Sequence, residues 1–279
     1  MDILSKRLQA ILESTPGAAA ACRELTAFID PIDGTKEFSA GKGEQCTICI
    51  GFADASGAPC AGIVYRPLDG VSPTWAMGCA SAGLARSELR TPSPPSPAAP
   101  RFLCSSGTLS SFTSALAEEL GGELTPVGGA GNKALLLLEY EAAGTPACYI
   151  QDRGLSRWDT CAAQAVLEAH GGAVSKLSPL SLTESQAASG TPMPLHSYRY
   201  TRSEWNADFE PGVALLTRYN ARGKPPPKGE KVYAERAEQV HAYANTCGVF
   251  ALPPAQLQRV DEYRVAVCRA AARCPPAYD

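Results

Sequence analysis

No run of about 18 or more uninterrupted apolar residues occurs in the 279-residue chain, which excludes a membrane-spanning helix. An excess of positive charge is missing too: 25 Lys and Arg stand against 28 Asp and Glu, for a net charge of −3. Proteins that bind a duplex usually present a basic face, so nucleic acid is excluded as a bulk partner. Local Lys and Arg clusters can still hold a small phosphorylated ligand. Histidine is scarce, and His170, His196 and His241 have no ligand spacing, so they read as structural or surface residues rather than catalytic ones. The N-terminal MDILSKRLQAILESTPG has helical periodicity but lacks the apolar centre of a secretory signal. With neither signal nor span, the chain is read as cytoplasmic, with organelle targeting left open.

Cysteine, by contrast, is abundant, with eleven in the chain. Their scatter through apolar runs, as at Cys46, Cys49, Cys148 and Cys161, is not a disulfide framework and reads as buried free thiols in a reducing compartment. Cys46 and Cys49 form C-x-x-C, but within the strand-like run QCTICIGF. Residues three apart on a strand face opposite sides, so neither a shared metal nor a disulfide is expected there. The 45% hydrophobic content and the length suit one large domain or two intimately packed ones, and exclude overall disorder.

Apolar spacing predicts a helix over 3–14 and a short buried strand over Leu25 to Asp30. Strands follow at about Gln45 to Phe52 and Ala61 to Tyr65, joined by a turn at Ala53-Asp54-Ala55-Ser56-Gly57. The Pro-rich stretch Thr91 to Pro100 is a surface loop or a boundary between halves. Beyond it come a strand at Phe102 to Ser105 and a helix at Ser110 to Leu120. A second helix is expected at Asn132 to Tyr140, a strand at Ala147 to Gln151 and a third helix at Thr160 to Ala169. Gly223 to Lys231 reads as a linker, followed by helices at Val232 to Ala244 and Leu257 to Ala272. Alternation of this kind predicts α/β layering, sheets covered by helices. The expected division is residues 1–90 as a sheet half, 101–220 as a second α/β half and 221–279 as a helical extension of unassigned role.

The densest chemistry lies in Asp30-Pro31-Ile32-Asp33-Gly34-Thr35. Two carboxylates three residues apart, directly after a strand, offer the oxygen ligands that Mg²⁺ prefers. Pro31 stiffens the turn, Gly34 permits close backbone approach, and Thr35 adds a hydroxyl. Alone, the run could be a solvated Asx turn. A second acid, Asp159 in Trp158-Asp159-Thr160, opens a helix of small residues, where it could be a simple N-cap or could face a cation at strand ends. Between them, Val127-Gly128-Gly129-Ala130-Gly131-Asn132-Lys133 places a Gly-rich turn before a helix. Such a turn offers backbone N–H groups, with a mobile Lys133 charge, to a phosphate.

DPIDGT together with a downstream WDTCAAQAVLEAHGG resembles the paired signature of the inositol monophosphatase superfamily, the lithium-sensitive Mg²⁺-dependent phosphatases. Lys36-Glu37-Phe38 after the first motif and the VGGAGNK run are similar to the 3′(2′),5′-bisphosphate nucleotidase branch. The resemblance spans about Phe28 to Asn220. It implies the layered sandwich of inositol monophosphatases and fructose-1,6-bisphosphatases, with its N-terminal helices missing here. It implies Mg²⁺ held by Asp30, the Ile32 carbonyl, Asp33 and Asp159, with Asp33 and Thr35 as catalytic residues. Gly34, Thr35, Ser106, Gly129, Lys133 and Asp159 would then contact substrate. The implied reaction is metal-assisted hydrolysis of adenosine 3′,5′-bisphosphate to AMP and phosphate, without a covalent intermediate. Inositol phosphates are the alternative substrates.

Two departures qualify the resemblance. Leu109 stands where animal-type nucleotidases tend to carry a His that touches the nucleotide. The family also places a metal-ligating Glu twenty to forty residues before the first motif, whereas the acids ahead of Asp30 here are Asp2, Glu13 and Glu24. Glu24 is too close to the motif, and Glu13 sits at the end of the expected helix. The N-terminus is therefore read as truncated. The functional classes left open are an active phosphatase and an impaired relative that binds nucleotide or metal without turnover.

Overall fold

The computed structural model describes residues 22–70, 72–92, 99–107, 109–152, 154–177, 195–200, 245 and 248–276, with residues 6, 10, 13, 14 and 17. In chain order, β1 (Thr26–Asp33) and a short helix α1 (Thr35–Ser39) precede β2 (Thr47–Ala53), β3 (Pro59–Arg66), β4 (Thr74–Cys79) and β5 (Gly83–Arg86). Then follow β6 (Arg101–Ser105), α2 (Ser111–Leu120), β7 (Glu123–Val127), α3 (Ala130–Ala142), β8 (Ala147–Gln151), α4 (Arg157–Ala169) and β9 (Ala173–Lys176). β10 (Val249–Leu252) and α5 (Val260–Arg273) close the order.

The first five strands form an antiparallel meander in sequence order. Alternation sets its packing: Thr47, Cys49, Gly51 and Ala53 of β2 are buried, and the residues between them are half-buried. The buried face receives α4. Gly51, Gly62 and Gly78 are register partners across β2, β3 and β4. A Cβ there would lie 2.5 Å from the Ala162 nitrogen, 2.8 Å from the Ala162 Cα and 2.4 Å from the Ala165 carbonyl oxygen, respectively. This glycine stripe, facing the small side chains Cys161, Ala162 and Ala165, lets the helix rest directly on the sheet.

The second sheet has the order β7-β6-β8-β10-β9. β7, β6 and β8 are parallel, and β10 is antiparallel to both of its neighbours. Both faces are covered, so β8 is buried at every position. Leu103, Tyr149, Val249 and Ala251 pack with α3, α4 and the first sheet. Phe102, Ile150, Phe250 and Leu252 pack with α2 and α5. Sheet, helix pair, sheet and helix pair therefore alternate, which is the layering expected from the sequence.

Several local expectations change. β1 is an edge strand with only Phe28 and Asp33 buried, rather than a buried strand, because β2 pairs with it on one side alone. The stretch expected to be a helical extension contributes a strand in its described part. Val249–Leu252 inserts between β8 and β9, and the expected terminal helix follows as α5. The linker at Gly223 to Lys231 and the helix at Val232 to Ala244 lie outside the described residues, as do His241, two thirds of the helix expected over 3–14 and the centre of the Pro-rich stretch; residues 6, 10, 13 and 14 are helical. Every described cysteine is a free thiol. Cys46 precedes β2, and its Sγ donates to the Gly34 carbonyl at 3.3 Å, whereas Cys49 lies buried beside Thr47. Among the described residues no helix is long and apolar enough to cross a membrane.

Candidate active site

A pocket of about 220 Å³ opens where the carboxyl ends of β1, β6, β7 and β8 converge on the N-termini of α3 and α4. Strand ends of this kind collect ligands in α/β folds because loops and helix starts meet there. Asp33, Gly34, Thr35, Ser106, Gly129, Lys133 and Asp159 all line it, and each was proposed from sequence. Lys36, Glu37, Ser105 and Gln151 line it as well and had not been assigned to the site.

Asp30, Asp33 and Asp159 offer carboxylate oxygens that all lie within 4.8 Å of one another. A bulge between Asp30 and Asp33 breaks the pairing with β2, so Pro31 and Ile32 leave the ladder register. The Asp30 carboxylate accepts the Ile32 N–H at 3.1 Å, which fixes this kink. Asp159 comes from α4, and here the sequence expectation is corrected. The helix begins at Arg157 with Ser156 as its N-cap, so Asp159 sits in the first turn, where its Oδ2 accepts the Ser156 N–H at 2.6 Å.

Asp33 is held most firmly. Its Oδ2 accepts the Thr47 hydroxyl and the Gly131 N–H, both at 2.7 Å, and its Oδ1 accepts the Ala130 N–H at 3.0 Å. Two of the first amides of α3 are thus engaged by a protein carboxylate. The sequence had offered these groups to a phosphate; instead they brace Asp33, because a buried acid needs donors as much as a substrate does. Gly129 permits this closeness. It adopts a φ of 70°, and a Cβ on it would lie 2.7 Å from the Gln45 carbonyl and 3.2 Å from Asp33 Oδ2. The Gly129 N–H is left without an acceptor among the described residues.

The electrostatics fit a cation. Burial pushes the Asp159 carboxyl well above the usual carboxylate range, and the charge of Asp33 and a hydrogen bond with Asp30 push it further. Burial also raises Asp33, against the lowering effect of Thr47, Gly131 and Ala130. Three carboxylates this close repel one another, and a hard divalent ion relieves that repulsion with the oxygen donors it prefers. Asp33 retains one lone-pair site beyond its three donors. On the other side lies Lys133, buried, with Nζ 5.2 Å from the centre of the Tyr149 ring and 3.2 Å from the Gly129 carbonyl to which it donates. Burial lowers its pKa, while the Asp33 charge opposes that shift.

Ser106 donates its hydroxyl proton to buried Glu37, a bond that joins α1 to the loop after β6. Glu37 was visible in sequence only as part of a motif; its contact lies 69 residues away, beyond any local signal. Thr47 and Gln45, whose Oε1 accepts the Gly128 N–H at 2.7 Å, escaped notice for the same reason. Glu13 and Glu24 are exposed and stand outside the acidic group. Leu109 does not line the pocket. His170 pairs with Glu141, and the His196 carbonyl accepts the Lys176 N–H, so neither reaches the pocket.

Residues 5–187 match the model of the inositol monophosphatase family. The chain is 31% identical over 168 residues to 3′(2′),5′-bisphosphate nucleotidase 1 of Rattus norvegicus, covering 56% of this chain and 52% of that protein. Inositol monophosphatase 3 of Danio rerio is 28% identical over 165 residues, covering 58% and 46%. The Golgi-resident adenosine 3′,5′-bisphosphate 3′-phosphatase of Homo sapiens is 28% identical over 171 residues, covering 60% and 45%. The chain thus spans about half the length of these curated relatives. The solved IMPase of Thermotoga maritima superposes with a TM-score of 0.50 over 90% of this chain and 71% of that one, at 15% identity, a likeness of fold alone.

Proposed function

The chain belongs to the inositol monophosphatase family, and on that premise we propose that it is a Mg²⁺-dependent phosphomonoesterase that converts adenosine 3′,5′-bisphosphate to AMP and phosphate. The observation that supports this reading most is the meeting of Asp30, Asp33 and Asp159 within 4.8 Å beside a pocket that also holds Lys36 and Lys133. Relatives named for bisphosphate nucleotidase activity support the choice of substrate class.

In this reading Asp30, Asp33, Asp159 and the Ile32 carbonyl hold Mg²⁺. When bound, the ion supplies Lewis-acid polarisation of a phosphate oxygen and a readily deprotonated water. The chain's own residues do the rest. Ala130, Gly131 and Thr47 orient Asp33 and oppose the effect of its burial. The free Gly129 N–H and Lys133 face the anion, and Gly34 leaves room for the bend that presents Thr35 at the pocket. Ser106, tied to Glu37, keeps its oxygen as an acceptor for a donor on the substrate.

The test is phosphate release by the purified chain from adenosine 3′,5′-bisphosphate and from inositol 1-phosphate, with and without Mg²⁺. Mg²⁺-dependent release, faster from the nucleotide, is the expected result. Faster release from the inositol ester would move the chain to the other branch, and release from neither would remove the enzyme reading. A second reading, a binder without turnover, is favoured by one observation: among the described residues the acidic group has three members and includes neither Glu13 nor Glu24. Calorimetric binding of Mg²⁺ and nucleotide without phosphate release would establish it.

A further inference from the structure

Behind the pocket lies a buried polar network with no part in holding metal or substrate. Arg66, at the end of β3, is fully buried. Its Nη1 donates to Glu139 Oε1 at 2.8 Å and to the Thr74 hydroxyl at 2.9 Å, and its Nε donates to Asn132 Oδ1 at 3.0 Å. Asn132, itself 1% exposed, donates through Nδ2 to the Gly128 carbonyl at 2.9 Å. A buried ion pair is weak evidence for stability, and this one leaves Arg66 Nη2 and Glu139 Oε2 without partners among the described residues. Stability alone does not account for it.

The geometry does. An asparagine amide can exchange its oxygen and nitrogen by a half-turn at little steric cost, so its neighbours decide its direction. A guanidinium only donates, so Arg66 holds Oδ1 towards itself and thereby turns Nδ2 towards Gly128. The Gly128 N–H is fixed from the other side by Gln45, and the Ala130 and Gly131 amides by Asp33. Each bond restrains the turn, and among these amides the N–H of Gly129, a residue that lines the pocket, is the one left without an acceptor among the described residues.

We propose that Asn132 is a positioning residue, oriented by Arg66, that fixes the Gly128–Gly129 turn so that the Gly129 amide addresses an anionic oxygen of the ligand. The inference rests on the reading of this pocket as a phosphate site. It makes Asn132→Asp a selective probe. The aspartate keeps an acceptor for Arg66 and nearly the same volume, but sets an oxygen against the Gly128 carbonyl. Glu139→Gln is the control, since it retains a hydrogen bond to Arg66 and leaves the asparagine oriented.

The experiment follows backbone amide resonances of the ¹⁵N-labelled full chain during titration with inorganic phosphate in magnesium buffer, beside steady-state kinetics on adenosine 3′,5′-bisphosphate. In the wild type, the Gly129 amide should shift on phosphate addition, while the Ala130 and Gly131 amides stay protected from exchange by Asp33. Asn132→Asp should weaken phosphate binding and raise KM by about 10- to 100-fold, the worth of one hydrogen bond to a charged group, with a smaller change in kcat; Glu139→Gln should leave both near wild type. An unresponsive Gly129 amide in the wild type overturns the proposal, whatever the folding of the variants. So does an Asn132→Asp protein that binds phosphate as the wild type does. A wild type that turns over no substrate, yet shows the Gly129 response and loses it in Asn132→Asp, removes the enzyme reading and keeps the positioning role.

Discussion

Asp33 serves two masters, as a member of the acidic group and as the carboxylate that caps α3. Asp30 belongs to the same group, but beyond a hydrogen bond shared with Asp159 it accepts only the local Ile32 N–H and caps no helix. The two substitutions should therefore separate. Asp30→Asn should weaken Mg²⁺ binding by about 100-fold or more, beyond the 10- to 100-fold typical of outer-sphere partners, with little change in denaturant unfolding. Asp33→Asn should match that loss and also cost about 1–3 kcal/mol of stability, because an amide set against two backbone N–H groups and a hydroxyl cannot satisfy all three. Calorimetry with Mg²⁺ and urea unfolding in chelator measure the two effects independently. Equal unfolding curves for both variants would mean that Asp33 does not brace the helix.

The same acids set a pH dependence. In chelator, Asp33 and Asp159 hold protons more tightly when folded than when unfolded, chiefly through burial. The native state then binds more protons over that interval, so stability falls as pH rises above the ordinary value of 3.8 towards the raised folded values. Mg²⁺ binds the ionised form and offsets the loss. The rise in Tm on adding Mg²⁺ should therefore grow as pH is raised from the ordinary carboxylate value of 3.8; an increment independent of pH would contradict it. The acids themselves were legible in the sequence, since DPIDGT and WDT are short runs whose chemistry is local. Thr47, Gln45, Asn132 and Glu37 were not, because each owes its role to a partner brought close by the fold, as Gln45 does to Gly128, 83 positions along the chain.

At the scale of elements, α4 carries Asp159 and rests on the stripe of Gly51, Gly62 and Gly78. The site's geometry thus depends on glycines far from it in sequence. Gly62→Ala would drive a methyl to 2.8 Å from the Ala162 Cα, which a helix backbone can relieve only by moving away. Overpacking of this kind costs about 1–3 kcal/mol, and the shift should be felt at Asp159 as weaker Mg²⁺ binding. Gly83→Ala, at the start of β5 with open space around it but a φ of 78° that alanine rarely adopts, should cost stability through backbone strain alone and leave Mg²⁺ binding unchanged. Periodicity made α2, α3, α4 and β8 readable, because each buries a regular face. It failed for β7, where Pro126 occupies an edge strand that tolerates it. It failed for β4 and β5 too, where the mixed pattern TWAMGC and the short GLAR carry little signal.

At the scale of the molecule, the most consequential strand is one the sequence concealed. VFAL, bounded by Gly248 and Pro253, is too short to distinguish a strand from a helical fragment, and it follows β9 by more than seventy residues of chain. Yet β10 fills the gap between β8 and β9, with Val249 and Ala251 in one core and Phe250 and Leu252 in the other. α5 then covers the outer face with Tyr263, Ala266, Val267 and Ala270. The two behaviours open to this region differ sharply. An appended extension could be removed with the catalytic body left folded. An integral strand could not: its loss would expose the edge of β8, strip β9 of its partner and open both faces of the sheet to water, the conditions that lead to edge-to-edge aggregation. A chain ending at Asn245 should therefore be recovered as aggregate or as a non-cooperatively unfolding species, with no Mg²⁺-dependent rise in Tm. Cooperative unfolding and wild-type Mg²⁺ binding in that truncation would show that β10 is dispensable. Supplying residues 248–276 as a separate peptide offers a sharper arm, because the registers of Phe250 against Ile150 and Ser175 leave one slot for it to occupy. Recovery of cooperative unfolding with the peptide, and none with a Phe250→Asp version, would assign the stability of the second sheet to this strand.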